Sequence, residues 1–227
     1  MNQWLALSKA EILFQARSGF LVVAAIVTVL WFSVLAFIPQ SYSIKVLGLV
    51  LSMDVASVAL LFCMGLHLLE NRQKVLWAFG VTPLQFVVKI WTRVILICLV
   101  TTIISCLIVM LYVPWTELLK LLFICALNSA IYAIIGYLLV IYAPNVSRLI
   151  VRIGLVSPLW LMPYISYFEF YYHPLFYLMP TFGLTMMFSD NAQYGGISIV
   201  NMVTSGFWLA VFYVWLRYAY PKVMTGN

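Results

Sequence analysis

The chain reads as an all-α membrane protein of six transmembrane helices with both termini in the cytoplasm. Three observations predict this. Of the 227 residues, 66% are hydrophobic and only 8% charged, with a mean hydropathy of +1.10, whereas a soluble domain is about a quarter charged. Six apolar runs each approach the roughly 20 residues that a helix needs to cross a bilayer. The 12 lysines and arginines fall between or at the ends of those runs with a one-sided bias, as the positive-inside rule requires.

The first 18 residues are too polar for a signal-peptide core, so the first span is expected to insert uncleaved. Ser8, Glu11 and Gln15 make a polar stripe at helical spacing, roughly opposite Ala6, Ala10 and Leu13, with Trp4 inside the stripe. Lys9 and Arg17 suit lipid headgroups. An interfacial helix over 1–18 is predicted.

The spans follow at 19–38 (ended by Pro39), 46–69, 94–113, 118–142, 149–168 and 197–216. Pro158 and Pro163 kink the fifth. Residues 169–195 carry enough apolar bulk for a seventh, yet Pro174 and Pro180 interrupt them, and a crossing there would place Arg217 and Lys222 outside. They are expected to form short re-entrant or interfacial helices on the outer side. Six spans then leave only Lys45 and Lys120 of the 12 basic residues outside. Lys9, Arg17, Arg72, Lys74, Lys89, Arg93, Arg148, Arg152, Arg217 and Lys222 lie inside. Residues 1–227 form one transmembrane domain with no internal repeat.

Little room remains for a soluble catalytic or nucleotide-binding unit. A formal charge of +6 would point a soluble protein toward nucleic acid; here the membrane accounts for it, and no nucleic acid partner is expected. Cys63, Cys98, Cys106 and Cys125 sit in apolar runs and behave as small hydrophobic residues. His67 and His173 are far apart, and there is no Walker A sequence, GxSxG or metal-ligand spacing. No catalytic residue, metal site or bound cofactor is expected in this chain.

Asp54 is the single acid deep in a span, where a carboxylate must face protein or a wet cavity. Gly48, Ser52 and Ala56 form a small-residue stripe on the same helix, which permits close packing. The second span should therefore be central. Asp54 either makes a structural hydrogen bond, with Asn128 as its partner, or touches substrate or protons. The aromatics from Tyr164 to Tyr177 are either an interfacial belt or an external gate. Pathway candidates are Asp54, Asn128, Tyr167, Glu169, Tyr171 and Tyr172. In the last span, Phe207, Trp208, Phe212, Tyr213, Trp215 and Tyr218 read as the cytoplasmic aromatic belt.

Residues 68–93 are the most informative stretch. Glu70, Arg72 and Lys74 alternate with Val75, Leu76, Trp77 and Phe79, as in a short interfacial helix. Gly80 can end it, and Thr82 and Pro83 restart the chain as N-cap and first helical residue. A helix–break–helix of this kind is a compact knob that another protein can grip. Glu70 and Arg72 point to different sides, so each is free to meet a partner.

This pattern resembles the loop between the second and third helices of type-2 ABC-transporter permeases: Glu70 and Arg72, then apolar residues, then Thr82-Pro83, with Lys74 where many members have glycine. The N-terminal WLALSKAEILFQARSGFLVV and the stretch SPLWLMPYISYFEFYYHPLFYLMPT at 157–181 resemble the permease subunits of fluoroquinolone-type exporters. The resemblance implies a multi-pass permease in the cell (inner) membrane, exporting a small amphiphilic or drug-like (multidrug) substrate by alternating access. It implies a coupling segment at 70–83, formed by Glu70, Arg72, Lys74, Trp77, Phe79, Thr82 and Pro83, that docks on a cytosolic ABC ATPase subunit. ATP and Mg would be bound by that partner, and a second permease subunit would complete a homo- or heterodimer. The alternatives are an ion- or proton-coupled secondary transporter using Asp54, and a membrane scaffold.

Overall fold

A computed structural model of the chain describes residues 3–72, 83–109, 115–143, 145–188 and 199–225. Every regular element among them is helical. The order is α1 Gln3–Arg17, α2 Phe20–Phe37, α3 Gln40–Leu49, a π-helical segment Val50–Val55, and α4 Ala56–Arg72. Then come α5 Pro83–Val109, α6 Trp115–Ile141, α7 Val146–Leu161, α8 Pro163–Tyr167, a 3₁₀ turn Pro174–Leu178, α9 Phe182–Met187 and α10 Ile199–Thr225.

Five stretches are individually long and apolar enough to cross a membrane: Lys45–Glu70, Val88–Leu107, Leu122–Ile141, Val146–Tyr167 and Ile199–Ala219. The pair Ser8–Arg17 and Val22–Phe37, bent by 58°, makes a sixth if it counts as one span. The bend is set at Gly19, whose φ of 79° lies in the left-handed region that an L side chain adopts only with strain.

The centre of the bundle is α4 against α6, the most extensive helix pair, with α5 packed on α6 beside it. The share of the span buried inside the protein is 62% for Lys45–Glu70 and 72% for Leu122–Ile141, against 28% for Val146–Tyr167 and 22% for Ile199–Ala219. The second span is thus central, as its small-residue stripe predicts: Gly48, Ser52 and Ala56 are all buried. Glycine at 136 allows the α4–α6 approach, because a Cβ there would stand 2.6 Å from the Leu60 carbonyl oxygen. Lipid tails give helices no hydrophobic reason to associate, so such backbone proximity is a main source of packing energy.

The third helix starts at Pro83, the first helical position that the Thr82-Pro83 pair predicts, and runs about three turns before the apolar span at 94, so Lys89 and Arg93 lie in helix. Proline is suited to the first turn, where its missing N–H removes no helical bond. In α7, Pro158 cannot donate to the Gly154 carbonyl, and the Ser157 hydroxyl donates to that oxygen at 3.2 Å instead. Pro163 opens α8, with the single residue Met162 between it and the end of α7. Within 169–195, the described part holds the 3₁₀ turn, capped by His173 Nδ1 accepting from the Leu175 N–H at 3.2 Å, and the buried helix α9 on α10.

Gly136→Ala should lower stability by about 1–3 kcal/mol, the usual cost of overpacking. Gly65→Ala, where a Cβ meets nothing within 4 Å, should be neutral or slightly stabilising. Thermal unfolding midpoints in detergent check both.

Candidate functional site

At one end of the bundle three helices meet around a buried ion cluster. Arg93 on α5 is 1% exposed. Its Nε donates to Glu11 Oε1 at 2.7 Å and its Nη2 to Glu11 Oε2 at 3.0 Å, a two-pronged contact with α1. Nη2 also donates to Glu70 Oε1 on α4 at 2.6 Å. Lys89, one turn earlier on α5, places Nζ 2.5 Å from the same Glu70 oxygen. Gln15 Nε2 donates to Glu11 Oε1 at 3.2 Å, and the Phe14 ring lies 5.9 Å under the guanidinium carbon.

The local logic is helical spacing. Glu11 and Gln15, and likewise Lys89 and Arg93, are four residues apart and share a face. Two carboxylates balance two cations, and the fork of arginine fits a carboxylate edge. His67 lies one turn before Glu70, buried, with its ring 4.9 Å from that of Tyr137 on α6.

This geometry corrects two expectations. The Glu70 carboxylate is not available to a partner chain: it is buried and held by Arg93 and Lys89. The polar stripe of α1 faces the protein, with Glu11 3% and Gln15 5% exposed, while Ile12 and Leu13 are about half exposed. The helix is amphipathic in the inverted sense, apolar outward. Neither Lys89 nor Arg93 stands out in the sequence, because their partners are far along the chain: 19 positions for Lys89–Glu70, 23 for Arg93–Glu70 and 82 for Arg93–Glu11. A loop reading of 68–93 hides their shared helical face.

A second, uncharged polar cluster lies around the π-helical segment. Asn128 Nδ2 donates to the Ser52 carbonyl at 2.9 Å, and the Tyr164 hydroxyl donates to Ser52 Oγ at 3.2 Å. The buried pair Thr101 and Ser129 joins α5 to α6 at 2.9 Å. The π geometry widens the helix and loosens its carbonyls, and Asn128 takes up one of them. Asn128 therefore bonds the backbone beside Asp54, at Ser52. The Asp54 backbone belongs to the π segment; its side chain lies outside the described residues.

The remaining pathway candidates do not converge there. Tyr167 is buried and its hydroxyl donates to the Lys45 carbonyl at 2.6 Å, beside Gly48. Glu169, at a left-handed φ of 62°, pairs with Lys45 Nζ at 3.3 Å on the surface. Tyr171 and Tyr172 are exposed, Tyr171 stacked on His173. Of the coupling candidates, Lys74, Trp77, Phe79 and Thr82 and the side chains of Arg72 and Pro83 lie outside the described residues.

The contacts also sort the bundle ends. Lys45 meets Glu169 and Tyr167 at one end. At the other, near the ion cluster, the Trp91 ring lies 5.8 Å from that of Tyr213, tilted by 40°, and Trp215 Nε1 donates to the Tyr142 hydroxyl at 3.3 Å.

Removing one member of the ion cluster strands a buried charge. Arg93→Leu should cost about 3–5 kcal/mol, and a cycle of Glu11→Gln with Arg93→Gln should show coupling of about 1–3 kcal/mol. Denaturant unfolding in mixed micelles measures both; additive single effects would mean that the charges act independently.

Comparison with protein-family models, with curated proteins and with solved structures gave no match.

Proposed function

We propose that this chain is the membrane-spanning permease subunit of an ATP-driven ABC exporter, crossing the cell membrane six times with both termini in the cytoplasm. The sequence resemblance of 68–93 to permease coupling loops motivates the reading. The observation that carries it is the ion cluster at the base of that segment. Glu70 is two residues from the end of α4, and Lys89 and Arg93 follow within the first turns of α5. A push on 70–83 is therefore delivered to α1, α4 and α5 together, since the three are clamped through Arg93.

In this reading the chain makes and breaks no covalent bond. ATP and Mg sit on a cytosolic ATPase pair, whose closure moves the coupling segments of two permease subunits. The central helices then rearrange and release a small amphiphilic substrate outward. Glu70 acts as an internal brace, and the docking contacts fall to Arg72, Lys74, Trp77 and Phe79. The basic bias supports the orientation, because the ion-cluster end is the one expected to face the cytoplasm.

A second reading is a proton- or ion-coupled carrier using Asp54. The π segment favours it, since such segments are frequent at functional sites. Transport that persists without any ATPase and collapses with the proton gradient would select it.

Cysteines introduced at Arg72, Arg148 and Lys222 should react with impermeant reagents only from the cytoplasm, and one at Glu169 only from outside. Labelling of position 222 from outside would sink the six-span count. Arg72→Glu and Trp77→Ala should each weaken ATPase recovery in pull-downs by about 2 kcal/mol, or roughly thirtyfold, with the unfolding midpoint unchanged. Undiminished recovery in both would place the docking surface elsewhere.

A further inference from the structure

The chain has six acidic residues, and the structure accounts for most of them. Glu11 and Glu70 are closed by Arg93 and Lys89, and Glu169 faces Lys45 at the opposite end. Glu117 is in the first turns of α6, about 36 Å along the helix from Ile141. Asp54 is two residues from Ser52, which meets Tyr164, about 18 Å beyond Arg152 along the bundle. Asp190 lies outside the described residues.

Several cations at the ion-cluster end belong to no ion pair among the described residues, and two of them stand together. Arg148 and Arg152 are one turn apart on α7 and share a face. Asn145 caps the helix by accepting the Arg148 backbone N–H at 2.9 Å. Neither side chain belongs to an ion pair among the described residues, and Arg152 Nη1 is buried with no hydrogen-bond partner. Arg152 is about 9 Å below the start of the helix, within a span that is mostly outward-facing. A guanidinium at that depth without an acceptor is costly. Among the described residues no carboxylate meets it, so an anion from the surroundings can supply the counter-charge.

We propose that Arg148 and Arg152 bind the phosphate of an anionic membrane lipid in the leaflet at the ion-cluster end. Two planar forks can share the oxygens of one phosphate. The exposed apolar face of α7, with Ile150, Val151, Leu155 and Leu159, gives the acyl chains a surface to lie along. The site rests on α7 entering a membrane and not on the transport reading, so the two can fail separately.

The test uses the full chain in nanodiscs of phosphatidylcholine with a minor fraction of phosphatidylglycerol, followed by native mass spectrometry of retained lipid. Wild type should keep phosphatidylglycerol in preference to phosphatidylcholine. Arg152→Gln should lower that retention about fivefold, and the double change with Arg148→Gln about thirtyfold, while Lys45→Gln at the opposite end leaves it unchanged. Thermal stability gives an independent reading if the double variant folds poorly: wild type in pure phosphatidylcholine should be less stable and phosphatidylglycerol should restore it. Equal retention by wild type and Arg152→Gln would overturn the proposal. Full restoration by inorganic phosphate would assign the site to a soluble anion and overturn it too. A change in dimer fraction with unaltered lipid retention would give the face to a second copy, with the same consequence.

Discussion

Arg93 is 1% exposed and charged, and the organisation of one end of the bundle depends on how that charge is met. An uncompensated guanidinium in a low-dielectric interior costs several kcal/mol even after relaxation. One carboxylate would leave most of its donors idle. Glu11 supplies a paired contact from α1 and Glu70 a third from α4, so the charge is neutralised only when three helices are in place together. The cluster therefore acts less as a store of stability than as a condition on assembly. The inverted face of α1 follows from it: the helix must present Glu11 and Gln15 inward, and its apolar residues are left for lipid. Gly19 then turns the chain into α2 at the angle this docking demands.

The middle of the bundle is held differently. Ser52, Asn128, Tyr164, Thr101 and Ser129 are neutral, and each bond among them is worth modestly under 2 kcal/mol in a membrane setting. Weak, interchangeable bonds around a π-helical segment are suited to rearrangement, because breaking one carbonyl contact is cheap when a hydroxyl is near to replace it. In the proposed transport cycle the charged end would carry displacement between helices, and the neutral middle would be the part that rearranges.

The periphery completes this division. Helix α7 packs lightly on α6 and α8, and α10 leans on α6 and α9. In the proposed cycle they can shift against the α4–α6 core without disturbing the close approach at Gly136. Pro158 and Pro163 interrupt the ladder of the same span, with Ser157 repairing one of the freed carbonyls. The aromatic rim beyond, from Phe168 to Leu178, is largely exposed, in keeping with a belt at a membrane interface more than with a closed gate.

Much of the architecture was legible in the linear chain, for reasons that are local. Apolar runs of bilayer length, their proline and glycine boundaries, and the 12 basic residues sorted between them are properties of neighbouring residues. The small stripe Gly48, Ser52, Ala56 even marked the central helix, because only small side chains let backbones touch. The site was less legible. Glu70 read as an exposed loop charge, and Lys89 and Arg93 as topology markers, since an ion pair across 82 positions (Glu11 to Arg93) leaves no periodic trace. Asn128 was expected near Asp54 and is found on the carbonyl of Ser52, within the π-helical segment that also holds the Asp54 backbone. By itself, then, the sequence determined that the chain is all-helical with about five or six apolar helices of bilayer length, because this depends on hydrophobicity and backbone chemistry within a few residues. Which charges are neutralised inside the chain was decided only by tertiary structure, because charge compensation depends on distance in space.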